Sequence, residues 1–198
     1  AKGRLAPIIV TLATTTVYEG IALFIMSNPG GSVHTAFRQF FVRGVSGYFP
    51  LILTIATVFV VMLVSNKSPY GRYLRALGGN ESAAYSTGIR VDRVKVLAYI
   101  LAGVLSALAG VYLTARMNSG DATIGKSYSM NAITASVVGG TAMTGAIGSP
   151  LGTVAGVFIV TIINNMLNLL GASSFYQYVY QGTILIAALS LSAMRRQK

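Results

Sequence analysis

Apolar residues in this chain come in blocks about as long as a bilayer is thick, with the basic residues gathered between them. A spanning helix needs about 20 mostly apolar residues. Blocks of that kind run from Ile8 to Ser27, Phe49 to Ser65, Val94 to Ala115, Leu151 to Leu170 and Tyr178 to Met194. The first is broken by threonines and Glu19, so the chain has four clear spans and a fifth weaker one. Charged residues make up only 10% of the 198 residues and hydrophobic ones 54%. A soluble domain carries about 25% charged residues to solvate its surface, so a large water-soluble helical core is excluded on composition.

The formal net charge of +11 does not point to nucleic acid. The basic residues are not interleaved with aromatics on one surface. They sit where the positive-inside rule expects them. Lys2 and Arg4 precede the first block; Lys67, Arg72, Arg75, Arg90, Arg93 and Lys95 lie between the second and third; Arg195, Arg196 and Lys198 follow the last. These are assigned to the cytoplasmic side. Arg38, Arg43, Arg116 and Lys126, fewer and more scattered, fall on the other.

This orientation fixes parity. With the third block running outward and the last running inward, the fourth must start inside near Pro150. The chain must then cross once more between Met117 and Pro150. The residues available, Asn131 to Pro150, read NAITASVVGGTAMTGAIGSP. Glycine costs about 1 kcal/mol against alanine inside a helix, and irregular backbone survives at membrane depth only where protein or a cavity shelters it. Residues 131–150 are therefore expected to form a broken or re-entrant membrane segment, of the kind that lines transport paths. The expected fold is an all-α, polytopic transmembrane helix bundle with this discontinuous glycine-rich segment, forming one transmembrane domain over residues 1–198. Gly148, Gly152 and Gly156, and separately Ala102, Ser106 and Gly110, repeat every four residues and would let helix backbones approach closely in lipid.

Residues 66–95 form the longest polar connection. A short helix fits from Gly79 to Ser86, with Asn80 as N-cap and Glu81 in the first turn, where the helix dipole favours an acid. Such a helix suits docking of a soluble partner. With no cysteine and a single histidine, His34, thiolate and histidine metal sites are excluded. His34 is assigned to an outside loop with no special role. The acids Glu19, Glu81, Asp92 and Asp121 are scattered, so no catalytic, cofactor-binding or metal-binding set is assigned. No phosphate-cradling loop occurs, so any ATP must be hydrolysed by another chain.

The run YGRYLRALGGNESAAYSTGIRVDRVK, together with PIIVTL at Pro7–Leu12, AGVLSALAGVYLTAR, ASVVGGTAMTGAIGSPLGT and NNMLNLLGASSFYQ, resembles the permease subunits of ribose-type ATP-binding-cassette importers across nearly the whole chain. The resemblance implies a permease for a monosaccharide or similar small polar solute in the inner membrane, working by alternating access. It implies an ATPase subunit, a second permease subunit and an extracytoplasmic solute-binding protein as partners besides membrane lipid. It places Gly78, Gly79, Asn80, Glu81, Ala83 and Ala84 against the ATPase. It also implies that this chain is a C-terminal portion, because such permeases begin with further helices. The family's acidic pattern before the glycine-rich segment is replaced here by Tyr128, Ser129, Met130, Asn131, Ala132 and Ile133, and its later G-G-x-G by Gly145, Ala146, Ile147 and Gly148.

Candidate residues along the translocation path are Gly139, Gly140, Thr141, Thr144, Asn164 and Asn165. Asparagine can bond a sugar hydroxyl or join helices, and Asn168 shares that ambiguity. Tyr176, Tyr178 and Tyr180 read as an interfacial belt. Glu19 is the one acid within a block; it reads as lying near an interface or pairing with a polar neighbour, while an ion-coupled secondary transporter or channel would use it as the coupling group.

Overall fold

The computed structural model describes residues 7–44, 47–142 and 145–196, and nine α-helices and one π-helical turn account for most of them. The four long apolar blocks and the weaker first one all become helices: α1 Pro7–Ile25, α3 Phe49–Lys67, α6 Val91–Met117, α8 Pro150–Leu169 and α9 Ser174–Arg196. Among the described residues α3, α6 and α8 are both long and apolar enough to cross a membrane. Large apolar side chains stay open on the helix surfaces, Phe24 of α1 at 90% and Leu169 of α8 at 88% exposure. Among the described residues no large side chain is fully buried. In water such surfaces would drive aggregation; lipid and neighbouring helices are the medium that suits them.

The chain divides into two units. One comprises Ala1–Thr57 and Arg90–Gly125. Within α1 the hydroxyls of Thr14, Thr15 and Thr16 donate to the carbonyls of Val10, Thr11 and Leu12, at 2.7, 2.8 and 3.1 Å. Each threonine thus satisfies its own hydroxyl within the helix, which explains how an apolar span tolerates three in a row. After α1, Gly30 and Gly120 exchange backbone hydrogen bonds at 3.1 and 3.0 Å, and the Ser119 hydroxyl donates to the Gly30 carbonyl at 3.1 Å. Helix α2, Thr35–Arg38, passes into the π turn Gln39–Arg43. His34 starts α2: its Nδ1 accepts from the Ala36 N–H at 3.3 Å, a capping role where none was expected. Phe37, Phe40, Phe41 and Phe49 stack around this turn with ring centroids 4.7 to 5.6 Å apart. Helix α6 ends at Asn118, whose left-handed backbone (φ 57°) suits an asparagine more than most side chains.

The other unit comprises Val58–Ile89 and Lys126–Lys198. Its polar connection holds two helices rather than one: α4, Pro69–Gly79, and α5, Glu81–Ser86. Ser68 caps α4, accepting from the Gly71 N–H at 3.3 Å, and Pro69 takes the first helical position, where its missing N–H costs nothing. Helix α7, Gly125–Val138, extends further into the 131–150 stretch than its overall glycine content suggests. The reason is local, since glycine begins only at Gly139. Gly140 then takes φ +87°, with its N–H bonded to Val137 and that of Thr141 to Ser136. This is a Schellman stop, and among the described residues the backbone is non-helical over 139–142 and 145–149.

Candidate functional site

Helices α7 and α8 lie antiparallel along a seam made by small residues. A Cβ on Gly152 would strike the Gly139 carbonyl, and one on Gly156 would strike the Ala135 carbonyl. Farther along, the Asn164 amide donates to the Asn131 Oδ1 at 3.2 Å. From Gly139, just past the end of α7, the partners step back by four to 135 and 131, while on α8 they run forward from 152 by four to 156 and by eight to 164. The seam is therefore a close backbone approach at one end and a polar pair at the other. Along α8, Gly156 and Asn164 are about 12 Å apart at 1.5 Å per residue.

Gly139, Gly140 and Thr141 occupy the close end. The Thr141 hydroxyl lies 3.4 Å from that of Thr153, and a Cβ on Gly148 would meet the Thr141 side chain at 3.1 Å. Asn164 occupies the polar end, and Asn165, one position further round α8, is exposed. The predicted path residues thus form a line along the seam rather than a cluster, and Asn165 is not on it. Thr144 lies outside the described residues. Asn131, Thr134 and Ala135 belong to the seam and were not singled out from the sequence as path residues. Thr134 and Ala135 are each 2% exposed, and the Thr134 hydroxyl is satisfied by the Met130 carbonyl at 3.0 Å. The signal was the matching four-residue spacing of Asn131, Ala135 and Gly139 with the notches of α8.

Several polar atoms in this unit are buried without a partner: Asn164 Oδ1, Gln181 Oε1 and the Tyr180 hydroxyl. Unmade hydrogen bonds of buried groups cost about 1–3 kcal/mol each, so the two amide oxygens favour a donor, and the Tyr180 hydroxyl a donor or an acceptor. Gln181 is 9% exposed, whereas Tyr176 is 70% exposed and suits the interfacial belt. Asn168 is joined to Gln177 at 2.8 Å, a structural use of an asparagine that the sequence left open. Glu19 is half-buried on α1, and among the described residues it has no polar partner.

The α4–α5 connection carries the other predicted set. Asn80 ends α4 and starts α5 in one extended residue (φ −157°), its Oδ1 accepting from the Ala83 N–H at 3.1 Å. The expected cap is therefore present, with the helix beginning at Glu81. Ala84 is buried and packs the short helix down, while Glu81 and Ala83 stay exposed. Gly78 sits against the glycine-rich segment: a Cβ there would collide with the Ala146 backbone nitrogen and lie 3.0 Å from the Gly145 Cα. Gly79 is freer, with the Ala146 Cβ 3.8 Å from where its own Cβ would be. Burial also pushes the Tyr70 hydroxyl, at the start of α4, above its ordinary pKa.

The family described as the branched-chain amino acid transport system permease component matches residues 2–189. The ribose import permease protein RbsC of Bacillus subtilis (strain 168) is 47% identical over 194 residues, covering 96% of this chain and 60% of the relative. The L-arabinose transport system permease protein AraH of Escherichia coli (strain K12) is 38% identical over 192 residues, 95% of this chain and 58% of the relative. The RbsC of Haemophilus influenzae is 38% identical over 196 residues, 95% of this chain and 60% of the relative. This chain thus spans about 60% of the length of these relatives. No solved structure matches it. With a family match across nearly its whole length and helices built for lipid, the chain is a multi-pass membrane protein that belongs to the branched-chain amino acid transport system permease component family.

Proposed function

We propose that this chain forms the transmembrane portion of a permease subunit that imports a monosaccharide or similar small polar solute across the inner membrane, powered by a separate ATPase. The observation that carries this reading is the 47% identity to a ribose import permease over 194 residues. The 38% identity to an arabinose permease widens the solute class to small sugars. The partners in this proposal are an ATP-binding-cassette subunit at the α4–α5 connection, a second permease subunit and an extracytoplasmic binding protein.

The geometry supports a division of labour. Two short helices hinged at Asn80 give a soluble partner a surface outside the spans. Helix α7 has 14 residues, about 21 Å at 1.5 Å per residue, against a hydrocarbon thickness of about 30 Å. That shortfall supports a discontinuous crossing completed by the glycine-rich stretch, with the α7–α8 seam as the wall of the path. Asn164 would offer its unpartnered carbonyl to a solute hydroxyl. Switching between inward-open and outward-open states needs an input with different affinity for the two, and ATPase closure on the α4–α5 connection is that input.

The test is reconstitution of the full-length permease with its ATPase and binding protein in vesicles, using labelled D-ribose and L-arabinose as probes. Uptake of either sugar only with all three components and ATP is the expected result. Flux without the ATPase would overturn the reading and favour an ion-coupled carrier, for which Glu19 would be the first residue to replace.

A further inference from the structure

We infer that Gly78 and Gly145 form the mechanical joint between the ATPase-facing connection and the glycine-rich segment, so that the two move as one body during transport. This inference rests on the permease reading. Each glycine is required by the other. A Cβ on Gly78 would collide with the Ala146 nitrogen and lie 3.1 Å from the Gly145 carbonyl carbon; one on Gly145 would come within 2.7 Å of the Gly78 Cα. These are backbone atoms, which cannot rotate away as a side-chain tip can. Gly145 also has φ +86° and Ala146 φ +65°, a left-handed pair that fixes the turn presented to Gly78.

The turn is braced from within. The Ala142 N–H donates to the Ile147 carbonyl at 2.9 Å, and the Gly145 N–H to Ala142 at 3.0 Å. At its base Gly139 is held against Gly152. A push on α4 therefore meets the backbone of Gly145 and Ala146 with no side chain between to absorb it, and these residues lead through Ile147 and Gly148 into α8 and the α7–α8 seam. Side chains repack over fractions of an ångström, whereas backbone against backbone has no such slack. Gly78 and Gly145 are positioning residues in this scheme; neither needs to touch the solute.

Gly79 supplies the probe. Its Cβ position is 3.8 Å from the Ala146 Cβ, within the roughly 3.5–4.5 Å that a disulfide requires. The chain has no cysteine of its own, so a Gly79→Cys/Ala146→Cys pair adds the only two thiols it contributes.

The experiment uses the full-length permease with its ATPase and binding protein in vesicles, reading sugar taken up per ATP hydrolysed with D-ribose and L-arabinose as probes. Gly78→Ala is expected to lower that ratio at least about tenfold while the ATPase still co-purifies, and Gly103→Ala, at an α6 glycine with nothing within 4 Å of its Cβ position, is expected to leave it within about twofold. The Gly79→Cys/Ala146→Cys pair is expected to cross-link on mild oxidation, with the ratio of the oxidised form within about twofold of that of the same variant reduced. An unchanged ratio in Gly78→Ala, or a cross-linked pair that stops transport until reduced, would overturn the joint, the second because it would mean the contact opens in each cycle. Loss of ATPase binding together with transport in Gly78→Ala would also overturn it, by making Gly78 part of the docking surface. Absence of ATP-dependent uptake in the unmodified assembly would instead overturn the permease reading, a result in which no Gly78 variant takes part.

Discussion

Asn164 donates its amide to Asn131 across the α7–α8 seam at 3.2 Å while its own carbonyl oxygen stays buried with no donor. The two asparagines are thus unequal. Asn131 → Ala strips Asn164 of its single partner and is expected to destabilise the protein by about 0.6–2 kcal/mol, read as an earlier thermal transition in detergent. Asn164→Leu removes the orphaned oxygen along with the amide, and stability is expected to stay within about 1 kcal/mol of the parent. Sugar uptake is expected to fall about tenfold in the same variant, the equivalent of one hydrogen bond of about 1.4 kcal/mol. A fully active Asn164→Leu would remove this residue from the path.

The notches of α8 and α6 are predicted to respond in opposite ways. Gly156→Val puts a branched side chain into the Ala135 carbonyl, and overpacking of that kind costs about 1–3 kcal/mol or more. Gly110 in the α6 notch has nothing within 4 Å of its Cβ position, so Gly110→Ala is expected to be neutral or to stabilise by up to about 1 kcal/mol through helix propensity. Thermal unfolding of the two purified variants side by side decides it. Equal losses would mean that a partner helix fills the α6 notch.

Asn80 is expected to act as a cap rather than as a ligand. Asn80→Ala should weaken α5 by about 1 kcal/mol and Asn80→Asp should preserve it. Hydrogen exchange across residues 81–88 gives the measurement. Faster exchange in Asn80→Asp as well would refute the capping role.

Asp121 links the turn after α6 to pH. The Thr123 backbone N–H at 2.8 Å and its hydroxyl at 2.7 Å hold this carboxyl below its ordinary pKa. Because the folded value is depressed, the stabilising contribution is present above the unfolded value, about 3.9, and is lost as pH falls through the folded one. Thr123→Val removes the hydroxyl and is expected to shift the Asp121 titration upward, observable by carbon NMR of a selectively labelled protein. An unmoved midpoint would show that the backbone bond alone sets it.

Spans were legible in the sequence because lipid imposes one rule on every residue of a block: α1, α3, α6, α8 and α9 begin and end within a few residues of where apolarity does. The α4 helix was not, although Ser68 and Pro69 signalled its start, because Arg72 and Arg75 made the segment read as a solvated loop. The Asn80 cap was legible, being a local matter of one side chain and one N–H. The seam was half legible. Gly152 and Gly156 marked a notch, but what fills it is the backbone of Ala135 and Gly139, and a backbone leaves no residue type to recognise. For the same reason nothing in the sequence paired Gly78 with Gly145.

The bond between Ser119 and Gly30 joins positions 89 apart, and its neighbours Gly30 and Gly120 close the same link through their backbones. A chain made at roughly 5–20 residues per second delivers the second half of this tie on the order of ten seconds after the first. Through that interval this tie is open at Gly30. The clasp closes when α6 is complete, so a nascent chain released before Gly120 should lack it, and limited proteolysis of such a chain is expected to cut beside Gly30 sooner than in the finished one.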